Sequence, residues 1–210
     1  MLGLIISLIS GFVYWIVEEN IVTHRFGKHH SNVLAALKWC VISGIAIEHL
    51  SIHYHAFYER IISIGHKLSI LLFYGFGDMV IVFNQNYSII FFMCGHVLLI
   101  SECILRMLVL AIEYTAGIVA FSLIITAIFG YLFKKHNQDM SRFEYQLYIG
   151  YIFTLSLIII TPIIAKGYFG GLFFVISDIL IGFKIKKLSK LTFPLYYASL
   201  LSLIYLYSTH

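Results

Sequence analysis

The sequence predicts an all-α fold: a polytopic membrane bundle of about eight transmembrane helices. Three observations carry that prediction. Of 210 residues, 60% are hydrophobic and 11% charged, where a soluble domain has roughly 45–50% and about 25%; the mean hydropathy is +0.93. Apolar segments of span length recur along the chain. The polar connections between them are too short to hold a soluble domain, so residues 1–210 read as one integral-membrane domain.

The elements follow in order. Segment 2–17 has no basic leader and no small-x-small cleavage pattern before Glu18 and Glu19, so it reads as a retained helix rather than a cleaved signal peptide. The connection "EENIVTHRFGKHHSN" leads to segment 33–49. The stretch "SIHYHAFYER" leads to segment 61–83, which closes on the tight turn "NQNY". From Ser88 to Phe133 the apolar pattern runs almost unbroken, too long for one tilted helix. Dividing it at Arg106 gives spans 88–105 and 107–133. "KKHNQDMSRFEY" precedes span 147–165, and "KIKKLSKLT" separates spans 168–183 and 193–207. There is no low-complexity linker and no clear internal repeat.

Charge speaks to topology. The net charge of +4 is small and scattered, which gives no nucleic-acid footprint. Connections after odd-numbered spans carry Arg25, Lys28, Lys134, Lys135, Arg142, Lys184, Lys186, Lys187 and Lys190; those after even-numbered spans carry only Arg60, Arg106 and Lys166. The positive-inside rule places the richer side in the cytoplasm. Both termini are then expected on the other side, in a multi-pass protein of a bacterial inner membrane or an endomembrane. The three cysteines, Cys40, Cys94 and Cys103, lie in apolar segments without paired spacing and read as inert buried thiols.

Ionisable groups inside spans are costly and mark function by default. Here they are Lys38, Lys67, Asp78, His96, Glu113 and Asp178. Lys67 and Glu113 lie near the non-cytoplasmic ends of their spans, where snorkelling suffices to explain them. The others share a layer in the cytoplasmic half. At 1.5 Å per residue, Asp78 is about 8 Å and Asp178 about 9 Å below the cytoplasmic helix ends, and His96 about 12–14 Å. Lys38, Tyr196 and Tyr197 enter from the same side. Tyr74 precedes Asp78 by four residues and lies on its stripe. Gly75 and Gly77 would let a neighbouring helix approach Asp78, and Ser177 adjoins Asp178 behind the glycines 167, 170 and 171.

His49, His53 and His55, with Glu48 and Glu59, read as a wet interfacial loop rather than a metal site. His24, His29 and His30 read as solvated in a basic loop. No metal site or cofactor is expected, and there is no G-x-S-x-G, H-E-x-x-H or Walker-type phosphate loop.

Two buried carboxyls can divide acid and base work, one protonated and one ionised. That serves peptide hydrolysis or cleavage through an oxocarbenium ion. "GFGD" at Asp78 spells the G-x-G-D of intramembrane aspartyl proteases such as presenilin and the prepilin peptidases. In those enzymes the partner aspartate lies upstream, and here segments 2–17 and 33–49 contain none. A proton-coupled transporter would use the same carboxylates without chemistry.

Four motifs in order carry a closer resemblance: "GDMVIVF" after Asp78, "FMCGH" ending at His96, "GGLFFVISD" ending at Asp178, and "PLYYASLLSLI" with Tyr196 and Tyr197. In this the chain resembles the lysoplasmalogenase family of polytopic membrane enzymes over residues of about 38–208. Lys38 in "ALKW" matches a lysine at the start of the family region. Leu99, Leu200 and Trp39 stand where that family usually has tyrosine, glutamine and proline. The resemblance implies hydrolysis of the vinyl-ether bond of a lysophospholipid, drawn from the surrounding membrane lipid, to a fatty aldehyde and a glycerophospho-alcohol. It implies Asp78, Asp178 and His96 as catalytic, and Lys38, Tyr74, Ser177, Tyr196 and Tyr197 as substrate-binding.

Overall fold

The computed structural model describes residues 2–23, 29–53, 57–107, 112–166, 169–183 and 188–208. His24, Arg25, Lys28, His55, Gly167, Lys184, Lys186 and Lys187 lie outside the described residues, as do the side chains of His29, His30, His53, Glu59, Glu113 and Lys166. Among the described residues the chain is all-helical and has no strand: α1 (Leu2–Thr23), α2 (His29–His53), α3 (Phe57–Val80), α4 (Gln85–Met107), α5 (Ile112–His136), α6 (Arg142–Lys166), α7 (Gly170–Gly182) and α8 (Ser189–Ser208). α4 runs through Arg106 to Met107 and α5 starts at Ile112; the residues between them, 108–111, lie outside the described residues. Helices run past the apolar segments at several ends. α2 begins at His29, not residue 33, because backbone hydrogen bonding continues where hydropathy stops.

Among the described residues, four helices are long and apolar enough to cross a membrane, at Asn32–Ser51, Gln85–Ile104, Ala116–His136 and Arg142–Ile164, while Leu2–Val17 and Gly170–Gly182 are apolar but shorter. α7 has 13 residues. A straight helix of that length reaches about 20 Å, short of the roughly 30 Å hydrocarbon core.

The helices fall into two compact units, Met1–Gly95 and His96–His210. In the first unit, α2 packs against α1 and α3. α1 buries Gly3, Ser7, Gly11 and Tyr14, a stripe spaced by three and four residues. It exposes Leu2, Ile5, Leu8, Ile9, Phe12, Val13 and Ile16. Glycine and serine inside, with Tyr14 closing the stripe, and large apolar groups outside is the pattern of a helix solvated by lipid. A Cβ at Gly3 would lie 2.3 Å from the Gly44 carbonyl oxygen, and one at Gly44 2.6 Å from that of Gly3. The α1 and α2 backbones therefore touch there.

One expectation fails in this unit. Glu48 and His49 lie inside α2, 6% and 0% exposed, rather than in a wet loop. The reason is local: a Glu48 carboxylate oxygen accepts the Leu4 N–H at 3.3 Å, so it serves the donors at the start of α1.

In the second unit, α6 packs against α5 and α7, and α7 against α8. Buried Ile118, Ser122, Thr126, Gly130 and Phe133 face inward from α5, while Phe121, Leu123, Ile124, Ile128 and Tyr131 are exposed. Ser141 starts α6 with a reciprocal cap. Its hydroxyl accepts the Glu144 N–H at 3.2 Å, and the Glu144 carboxylate accepts the Ser141 N–H at 3.0 Å, as the spacing in "SRFE" allows.

Candidate functional site

The polar groups of the spans form two clusters, one in each unit. In the first, α3 carries Asp78 in its final turn. Beyond it, hydrogen bonds from Ile81 N–H to the Gly77 carbonyl and from Asn84 N–H to the Val80 carbonyl close the helix. The Asn84 side chain then accepts the N–H groups of Asn86 and Tyr87 at 3.0 and 3.2 Å, which starts α4 at once. Asp78 is 4% exposed. The Lys38 ammonium, from α2, lies 3.4 Å from its carboxylate and 5.2 Å from the centre of the Tyr14 ring of α1. The cation is thus shared between a carboxylate and an aromatic face.

Small residues make the approach possible. A Cβ at Gly75 would lie 3.0 Å from Ile42 and Trp39, and one at Gly77 3.0 Å from Phe92. Tyr74, one turn before Asp78, is fully buried. Its ring lies over Gly95, where a Cβ would come within 2.5 Å of it.

In the second unit, the Tyr151 hydroxyl of α6 donates to the Asp178 carboxylate of α7. The Tyr151 ring stacks on His96 at 5.4 Å. Phe174 meets the other side of His96 edge-on at 4.9 Å and meets Tyr196 at 5.2 Å. His96 is fully buried, and its Nδ1 lies 3.2 Å from the Thr154 hydroxyl. That hydroxyl gives its proton to the Tyr151 carbonyl at 2.9 Å, so it accepts from the imidazole. This fixes the tautomer with hydrogen on Nδ1 and turns the lone pair to Nε2.

Asp178, His96 and Tyr196, from separate motifs, thus join one cluster through Tyr151 and Phe174. Ser177 is 1% exposed and donates to the Thr192 carbonyl at 2.9 Å, tying α7 to α8. Tyr197 stacks on Phe193 at 6.1 Å. Leu99 and Leu200 are buried at 2% and 0% exposure.

The α6–α7 crossing sets the position of Asp178. Pro162 has no N–H, so the Ile158 carbonyl lacks its helical donor. Gly171 lies on that oxygen, and a Cβ there would be 1.9 Å from it.

Sequence reasoning missed Tyr14, Tyr151, Thr154 and Phe174. A signal for two of them exists: Tyr151, Thr154, Ile158 and Thr161 are all buried and recur at helical spacing, a polar stripe on one face. Among the described residues no group of three or more His, Cys, Asp or Glu could hold a metal ion. Comparison with family models, curated proteins and solved structures finds no match.

Proposed function

We propose that the chain is a multi-pass membrane hydrolase that cleaves the vinyl-ether bond of lysoplasmalogens. The observation that carries the reading is that each aspartate has a built polar setting within apolar helices: Asp78 with the Lys38 ammonium, and Asp178 with the Tyr151 hydroxyl. Isolated ionisable groups in a membrane are too costly to be kept without a role. The order of motifs around Asp78, His96, Asp178 and Tyr196–Tyr197 supports the substrate class.

The chemistry begins with protonation of the vinyl β-carbon. The π pair takes the proton, and the α-carbon becomes an oxocarbenium ion on the ether oxygen. Water adds to that carbon and loses a proton. The resulting hemiacetal gives up its hydroxyl proton as its carbon–oxygen bond to the glycerol breaks, and the departing glycerol oxygen takes up a proton, giving the fatty aldehyde and the glycerophospho-alcohol. The ion pair supports the carboxylate role for Asp78, which stabilises the cation and receives the proton from water. Asp178 is then the acid. Tyr151 orients Asp178, and His96, through its Nε2 lone pair, relays the proton. Lys38 is within reach of a lipid phosphate as well as Asp78 in this reading.

About eight spans with both termini on the non-cytoplasmic side is the topology that goes with this function. It puts the α3–α4 turn and the α5–α6 loop in the cytoplasm. The test is aldehyde release from alkenyl-lysophospholipid by the purified protein and by its Asp78→Asn and Asp178→Asn variants. Release that requires both aspartates supports the reading, and release that survives both substitutions removes it.

A further inference from the structure

The α5–α6 hairpin carries a feature that the proposed hydrolysis does not use. A cavity of about 440 Å³ opens on its outer side, lined by Leu123, Thr126 and Ala127 of α5 and Tyr145, Gln146 and Ile149 of α6. That volume is within the roughly 300–1,000 Å³ range of small-molecule sites. The walls are mainly apolar. Thr126 turns its hydroxyl to the Ser122 carbonyl at 2.7 Å, so it presents no donor to the groove. Gly130 lets α5 and α6 pack closely beside it, since a Cβ there would lie 2.3 Å from Ile149 and 4.0 Å from the Tyr145 hydroxyl.

Two things say what fits. The first is charge. At the hairpin end of the groove the Lys134 ammonium lies 4.9 Å from the centre of the Tyr145 ring. Lys135 and Arg142 are exposed in the same hairpin, and with Asp139 and Glu144 there its charge balance is still positive, while the walls carry no charge. The second is depth. Leu123 to Lys134 is about 16 Å along α5, close to half of the roughly 30 Å hydrocarbon core. In a membrane-spanning α5, a head group held at Lys134 would let an acyl chain reach Leu123 within one leaflet. Tyr131 and Phe143, each 66% exposed, stand at that same level as interfacial aromatics do.

We infer that this groove is a binding site for an anionic membrane glycerophospholipid. The phosphate and anionic head group meet Lys134 and Lys135, and one acyl chain runs down to Leu123 between the helices. The inference is independent of the hydrolase reading, because it uses neither aspartate and needs no turnover.

The test uses the full chain in lipid vesicles with two acyl-chain diazirine probes of equal chain length, phosphatidylglycerol and phosphatidylcholine. Photolabelled peptides are mapped by mass spectrometry. Phosphatidylglycerol is expected to label residues 123–149 about fivefold more than phosphatidylcholine for each cation engaged. Ala127→Trp, at an exposed position, should abolish labelling there. Lys134→Gln with Lys135→Gln should bring the two probes to equality. Equal labelling of the unaltered chain overturns the inference. So does a preference that survives removal of both lysines, or labelling unchanged in a folded Ala127→Trp protein. Elution as a single species and an unchanged Tm establish that each variant is folded.

Discussion

At Asp78 and Asp178 the partners differ in kind. Asp78 faces an ammonium, and Asp178 takes a neutral hydroxyl. Removing each partner therefore has a different consequence. Lys38→Met strands a carboxylate that is 4% exposed. Breaking a buried pair from one side costs about 3–5 kcal/mol, so the variant should have a clearly lower Tm in detergent. Pairing it with Asp78→Leu should recover most of the loss, and equal Tm values for the single variant and the parent would dismiss the pair as structural. Tyr151→Phe keeps the ring on His96 and deletes one hydrogen bond. As Asp178 gives up its proton this hydroxyl comes to face a charged group, and such a hydrogen bond is worth about 1.5–3 kcal/mol, so aldehyde release should fall roughly 10- to 150-fold while the Tm, set by the protonated resting state, moves little. Asp78, Asp178 and His96 are legible in the sequence because an ionisable group stands out in an apolar segment. Tyr151 is not, because tyrosine is at home in such segments, and only its burial and its register with Thr154 give it away. Lys38 is legible as a charge, but its double contact with Tyr14 and Asp78 is a matter of packing.

At the scale of the element, glycine contacts decide which helices can meet. Gly171→Ala drives a methyl into the Ile158 carbonyl, 1.9 Å away. Overpacking costs roughly 1–3 kcal/mol, and backbone cannot yield as a side chain can. The expected loss is about 3 kcal/mol or more, with α7 moved and Asp178 pulled from Tyr151. Gly117→Ala is the control, since a Cβ there meets nothing within 4 Å; it should be neutral or gain the helix propensity of alanine, about 1 kcal/mol. Unfolding both variants in mixed micelles checks the contrast. The helices among the described residues are themselves legible from hydropathy. Their ends are not, because α2 and α5 continue into polar residues where the hydrogen-bond ladder persists. Burial of Glu48 is also invisible in the sequence, since it depends on the start of α1 arriving beside α2.

For the whole molecule, composition establishes the solvent. Four helices of spanning length and an apolar outer face on α1 and α5 are consistent with a membrane protein. The proposed topology adds a test: in a cysteine-free background, Asn86→Cys and Asp139→Cys should both react with a membrane-impermeant maleimide from the cytoplasmic side, and Ser51→Cys from the other. Reaction of the first two from opposite sides would refute the even number of spans, two, between residues 84 and 139.

The central claim is chemical, and aldehyde release tests it most directly. The purified protein, given alkenyl-lysophospholipids with ethanolamine and choline head groups, should release fatty aldehyde and free glycerophospho-alcohol in equal amounts. Asp78→Asn and Asp178→Asn should each lower the rate by about 10²–10⁴-fold, the usual weight of a positioned acid or base. Absence of aldehyde from every vinyl-ether substrate, or full release by both asparagine variants, would contradict it.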